Sequence, residues 1–232
     1  MTLLQLLRLP DFVSLSNLFF GISAISAAHA GSFDLALILL LLAAIADGAD
    51  GHFARKFGGG ELGEQLDSLA DAVSFGVAPA LVIYFNFGGE DLIVVIFAYF
   101  YALCGVLRLA RFNVIPSVKA GFEGLPITAG CVMLASYMLL GENLVRIDFL
   151  LVLTLALSLL MVSSVAYPKI RNLKLLAFIA SMFFAMVLLF FIDLSYMRFF
   201  SPIPFILMLV YMLSPFLKIP MLSNANHNKK RS

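Results

Sequence analysis

Residues Ala46 to Ala80 read ADGADGHFARKFGGGELGEQLDSLADAVSFGVAPA, framed by the apolar runs Leu37–Ala46 and Ala72–Tyr84. Four aspartates punctuate the stretch. Asp47 and Asp50 are three residues apart, and Asp67 and Asp71 four apart. At those spacings each pair shares one helix face. The short Gly58-Gly59-Gly60 connection predicts that the two helices are antiparallel neighbours. Asp47 precedes Lys56 by nine residues, and Asp71 follows Leu62 by nine. At a rise of about 1.5 Å per residue, both sit roughly 14 Å from the connecting end. Asp50 and Asp67 match in the same way, so all four carboxylates are predicted to converge at one level.

If the flanking runs cross a bilayer, that level lies inside it. An aspartate at the centre of a spanning helix disfavours insertion by roughly 2.5–3.5 kcal/mol, and four together add mutual repulsion. Oxygen donors with no Cys or His set favour hard divalent cations such as Mg²⁺ or Mn²⁺ as the neutralising partner. His52, a single imidazole in the stretch, is expected to be interfacial rather than a ligand. A solvated loop is not expected, because the apolar runs leave no room for one if both helices span. An ion pathway also uses intramembrane carboxylates, but it does not account for Arg55 or for Gly51 and Gly63.

The rest of the chain supports the membrane setting. Of 232 residues, 62% are hydrophobic and 12% charged, against about 45–50% and 25% in a soluble domain. An all-α polytopic membrane protein is expected. Spanning helices need about 20 mostly apolar residues, which predicts eight, at about 11–29, 33–56, 62–86, 91–113, 125–140, 147–167, 173–193 and 199–217. The fifth opens at Pro126, suited to a first helical turn. With the N-terminus cytoplasmic, 13 of the 15 Lys and Arg fall inside and only Arg146 and Arg198 outside, as the positive-inside rule requires. Both termini are then cytoplasmic, and Gly88-Gly89-Glu90-Asp91 and Gly141-Glu142-Asn143 lie outside. Residues 1–222 read as one transmembrane catalytic domain and 223–232 as a polar basic tail. No removable signal peptide and no nucleic-acid partner are expected. Cys104 and Cys131 lie in apolar runs and are expected to be small buried hydrophobes. Tyr84 and Tyr167 fit interfacial belts.

The pattern Asp47-x-x-Asp50-Gly51-x-x-Ala54-Arg55, seven residues, then Gly63-x-x-x-Asp67-x-x-x-Asp71 resembles the signature of the CDP-alcohol phosphotransferases at every defining position. The resemblance covers the first six spans, about 11–167; the extra helices at about 173–217 carry no motif. It implies that a CDP-linked lipid donates its phosphoryl-alcohol part to a hydroxyl acceptor and CMP leaves. It implies two divalent cations held by Asp47, Asp50 and Asp67, with Asp71 beside them and serving as general base. Gly51, Ala54 and Gly63 would let backbone approach the CDP-lipid, and Arg55 would contact its phosphates, a residue otherwise read as a membrane anchor. Ser14-Leu15-Ser16-Asn17 resembles the family's Pro-Asn helix entry, with Ser16 in place of proline, which makes Asn17 a candidate CDP-lipid contact. The family usually forms homodimers.

Three further segments resemble the phosphatidylserine synthase branch: Asp67–Ala80, Arg108-Leu109-Ala110-Arg111-Phe112-Asn113 and Phe122-Glu123-Gly124-Leu125-Pro126. In the third, Ile127-Thr128 stands where the branch commonly has a second proline. The branch implies L-serine as acceptor and CDP-diacylglycerol or CDP-archaeol as donor, in the cytoplasmic membrane with the active site facing the cytoplasm. Arg111, ahead of Arg108, would pair with the serine carboxylate, and Asn113 with its ammonium or hydroxyl. Both arginines also serve as positive-inside anchors, and Lys119 reads as an anchor alone. Three alternatives stay open: glycerol phosphate or inositol phosphate as acceptor, a cation transporter using the four aspartates, and a binding-only membrane protein.

Overall fold

The structure is a computed structural model describing residues 7–57, 61–89, 91–114, 121–168 and 173–217, with the side chains of 9, 51–57, 61, 121, 122, 173 and 174 excepted. The tail 223–232, the glycine connection 58–60, Glu90 and Lys119 lie outside the described residues.

Helix α1 (Leu9–His29) begins with Pro10 in its first turn, where a missing N–H is harmless. The Asp11 carboxylate accepts the Arg8 backbone N–H at 2.7 Å. The helix ends before Gly31, whose φ of 78° is readily adopted without a Cβ. It packs along α2 (Phe33–Phe57), and Ala24, Ala27 and Ala28 of the one and Ala36, Ala43 and Ala44 of the other are all buried. Small residues permit the close approach on which helix association in membranes relies.

The third helical stretch is continuous but changes gauge. Helix α3 (Glu61–Asp71) passes through a π-helical turn (Ala72–Val77) into α4 (Ala78–Ile83), and a second π turn (Tyr84–Gly88) ends it. Side chains reach the carbonyls of the first π turn: Tyr101 Oη donates to Phe75 O at 3.1 Å and Cys131 Sγ approaches Ser74 O. Helix α1 lies against α2, α3, the first π turn and α4, so it is wedged along the two helices expected to be plain neighbours. At Gly21 a Cβ would come within 2.7 Å of Ser74 Cα. Gly21→Ala is therefore expected to destabilise the fold by about 1–3 kcal/mol, read as a lower melting temperature in detergent.

Helix α5 (Leu92–Val114) follows, then β1 (Gly121–Glu123), α6 (Ile127–Met138), α7 (Ile147–Val162), β2 (Ala166–Pro168), α8 (Leu173–Ile192), α9 (Leu194–Phe200) and α10 (Pro202–Leu217). Strands β1 and β2 pair antiparallel, with Phe122 opposite Tyr167. This pair corrects the expected helix over 147–167, which stops at Val162, and the segment before Pro126 is strand and loop. The eighth predicted span starts earlier, at Leu194, and breaks at Ser201. Tyr167 is not an interfacial side chain either: it is 1% exposed, donates to Met212 O at 3.1 Å and lies 5.8 Å from the Tyr211 ring.

Five helices among the described residues are long and apolar enough to cross a membrane: Pro10–His29, Leu62–Gly88, Leu92–Val114, Leu175–Ile192 and Leu194–Leu217. Ile127–Met138 and Ile147–Val162 are apolar but shorter. Large apolar side chains such as Leu103 and Leu107 on α5 and Phe184 and Phe191 on α8 face outward. A water-soluble surface does not carry so much exposed apolar area, and the molecule is an all-helical membrane protein apart from the two short strands. Cys104 and Cys131 are both buried and free.

Candidate active site

Helix α2 carries Asp47 and Asp50, and α3 carries Asp67 and Asp71. Asp47, Asp67 and Asp71 each bring a carboxylate oxygen within 4.8 Å of the other two. Asp50 stands beside this group, in electrostatic reach of Asp47 and Asp67, and accepts a hydrogen bond from Ser14 Oγ. Three of the four carboxylates predicted to converge lie within this mutual distance, and the fourth, Asp50, is in electrostatic reach of two of them and hydrogen-bonded to α1.

Helix α1 supplies the polar lining. Ser14 and Asn17, three residues apart, are both buried on its inner face. Asn17 Nδ2 donates to Asp71 Oδ1 at 3.0 Å, and its backbone carbonyl accepts from Ser74 Oγ at 3.0 Å. Asn17 therefore touches a carboxylate of the cluster. From α6, Thr128 Oγ1 donates to Asp47 Oδ2 at 3.1 Å. Neither Ser14 nor Thr128 was singled out from the sequence as a contact. Their signal was available: an i, i+3 polar pair on an apolar helix for Ser14, and a hydroxyl in place of the branch's proline for Thr128.

Gly63 has a neighbour that the sequence reading did not name. A Cβ there would come within 2.6 Å of Asp11 Oδ1, so the glycine makes room for a carboxylate of α1. The surroundings of Gly51 and the side chains of Ala54 and Arg55 lie outside what is described, although their backbone continues α2.

The two arginines of α5 differ sharply. Arg108 is 7% exposed and in electrostatic reach of Asp71 and Asp47. Arg111 instead donates to backbone carbonyls: Glu123 O at 2.7 Å, Ser163 O at 3.1 Å, Val162 O at 3.2 Å and Met161 O at 3.3 Å. Its guanidinium closes the open carbonyl end of α7, where no further helical N–H is available, and ties that end to β1. Of the two, Arg108 is the one in electrostatic reach of the carboxylates, although Arg111 was placed ahead of it as the partner of the serine carboxylate. Asn113 is exposed and pairs with Ser68 Oγ at 3.1 Å, next in sequence to Asp67.

The donor set fits a divalent metal. Three carboxylates this close repel one another strongly in a low-dielectric setting. The described contacts offer them one amide, one hydroxyl and a nearby guanidinium, all short of three full negative charges. Oxygen-only donors suit Mg²⁺, Mn²⁺ or Ca²⁺ rather than a thiophilic ion.

The helical membrane scaffold gathers aspartates from two helices with a buried arginine in electrostatic reach of two of them, and comparison of the sequence gives the class. The CDP-alcohol phosphatidyltransferase pattern matches residues 7–163, and the chain belongs to that family. It is similar to the archaetidylserine synthase of Methanothermobacter thermautotrophicus, 38% identical over 171 residues, 72% of each chain. It is 40% identical over 170 residues to the CDP-diacylglycerol–serine O-phosphatidyltransferase of Methanocaldococcus jannaschii, covering 72% of this chain and 77% of that one. The Helicobacter pylori protein of the same name is 33% identical over 177 residues, 71% of this chain and 73% of its own.

Proposed function

We propose that the chain transfers the phosphatidyl or archaetidyl group of a CDP-linked lipid to the hydroxyl of L-serine, releasing CMP. The observation that carries this reading is the juxtaposition of Asp71, held by Asn17, with two further carboxylates and the buried Arg108. The relatives named for serine transfer supply the acceptor.

The serine oxygen attacks the lipid-side phosphorus, a new P–O bond forms, and the bond from that phosphorus to the bridging oxygen breaks. CMP departs with the electron pair. Asn17 fixes Oδ1 of Asp71 by its hydrogen bond, and Oδ2 is the atom that receives the serine hydroxyl proton. Arg108 pairs with the serine carboxylate, and Asn113 lies at the exposed rim of the acceptor side. Gly51, Ala54 and Arg55 continue α2 toward the CDP-lipid phosphates. Asp47, Asp50, Asp67 and Asp71 would hold two divalent cations, Mg²⁺ or Mn²⁺, which would supply charge neutralisation for the pyrophosphate.

Thr128 orients Asp47 from α6. Thr128→Val is expected to weaken Mn²⁺ binding by about tenfold, the lower end for loss of a partner behind a metal ligand. Paramagnetic resonance of unbound Mn²⁺ checks this without reference to turnover.

We place both termini and the carboxylates on the cytoplasmic side of the cytoplasmic membrane, with eight crossings and residues 1–222 as one catalytic domain. The distribution of 13 basic residues against two supports that orientation. A homodimer is proposed from the family resemblance, and cross-linking in native membranes tests it. The reaction itself is tested by CMP release from CDP-diacylglycerol and CDP-archaeol, with serine, glycerol phosphate or inositol phosphate as acceptor. Serine-dependent release in Mn²⁺ or Mg²⁺ supports the reading; release that ignores serine but follows another alcohol overturns it.

A further inference from the structure

A second polar site lies at the other end of the bundle. Asp34, in the first turn of α2, is thirteen residues before Asp47, about 20 Å along the helix axis. It borders a cavity of about 280 Å³ built from the α1–α2 turn, the second π turn, the loop after α6 and helix α9. That volume is at the small end for ligand pockets, a size for a headgroup rather than a nucleotide.

Arg198 reaches this cavity from α9. Its Nη2 donates to Asp34 Oδ2 at 3.1 Å, its one hydrogen bond among the described residues. A guanidinium has five N–H groups, so most of its donors have no hydrogen-bond partner among the described residues. Gly141, with φ of 84°, makes room for the arginine: a Cβ would come within 3.2 Å of Arg198 Cδ and 3.3 Å of Nε. The cavity is lined further by Asn86 and Glu142, neither of which makes a side-chain hydrogen bond among the described residues.

The charges select the ligand. Asp34 and Arg198 balance each other, which leaves the Glu142 carboxylate unmatched. A simple anion would meet two carboxylates, and a simple cation would meet the arginine. A group carrying both a phosphate and a primary ammonium satisfies both ends, with phosphate oxygens on the open N–H groups of Arg198 and the ammonium on Glu142 and the Asn86 carbonyl. Phe33, Leu37, Phe87 and Val145 line the same cavity and suit the apolar start of a lipid.

We infer that this cavity binds a zwitterionic headgroup with a phosphate and a primary amine, in the membrane leaflet opposite the aspartates. The test is native mass spectrometry of the full chain in detergent with equal phosphatidylethanolamine and phosphatidylglycerol. The wild type is expected to retain the amine lipid about tenfold over the glycerol lipid, the worth of one charge-assisted hydrogen bond. Glu142→Gln is expected to erase that preference while still releasing CMP at the wild-type rate, which shows it is folded. Arg198→Gln is expected to reduce retention of both lipids. Equal retention by the wild type, or an undiminished preference in Glu142→Gln, would overturn the inference. Soluble phosphoethanolamine separates the sources: displacement of the bound lipid means the headgroup alone is recognised, and persistence of the preference in its presence assigns the site to lipid.

Discussion

With Asp71 replaced by asparagine, serine-dependent CMP release is expected to fall by roughly 10²–10⁴-fold, the contribution of a positioned general base. The substitution keeps the shape of the side chain and an oxygen for the Asn17 hydrogen bond. It removes the proton acceptor and one of three clustered negative charges. Because Asp47 and Asp67 remain, Mn²⁺ binding is expected to weaken without vanishing. Single-turnover CMP release and Mn²⁺ resonance, measured on the same preparation, separate the two effects. An Asp71→Asn protein that turns over at more than a tenth of the wild-type rate would remove Asp71 from the proton-accepting role.

The second large effect distinguishes the two arginines of α5. Arg108→Ala is expected to raise the serine KM about 10- to 100-fold, the equivalent of a lost hydrogen bond to a charged group, with kcat changed less. Arg111→Ala should act on the fold instead. It strips the guanidinium from the carbonyls of Glu123, Met161, Val162 and Ser163, and about 2–3 kcal/mol of destabilisation is expected. For a chain of this size that lowers the melting temperature by roughly 4–12 °C. A raised serine KM with unchanged melting in Arg111→Ala would return that residue to the acceptor pocket.

The carboxylate cluster was legible because two regularities are local: apolar runs long enough to fix helices, and aspartates spaced to share a face. Counting rise per residue then placed Asp47, Asp67 and Asp71 at one depth, and the structure gathers those three. Asp50 has in addition a partner that spacing does not announce, Ser14, thirty-six positions away in the sequence. The carbonyl contacts of Arg111 were hidden for a related reason. Its partners are backbone carbonyls, which every residue carries, so no side-chain pattern announces them. The strands β1 and β2 are three residues each, too short for the alternation by which a strand is recognised. Tyr167 looked interfacial because its position near the end of an apolar run is visible in sequence, whereas the Met212 carbonyl that it reaches is not.

The two π turns give the third helix a particular pattern of tolerance in genetic terms. A π turn holds one residue more than an α turn, so Ala72–Val77 acts as a one-residue insertion absorbed without breaking the helix. Deleting a single codon there would restore regular α geometry and leave the two halves nearly in phase, because the residue given up is the one the wide turn absorbs. Within Ala78–Ile83 no spare residue exists, and the same deletion would rotate one half against the other by about 100°. That segment is anchored against α1, α2 and α5, so the rotation would carry Asp67 and Asp71 away from Asp47. Among equal-sized in-frame deletions, those between Asp71 and Ala78 should therefore be milder than those in the α turns that follow.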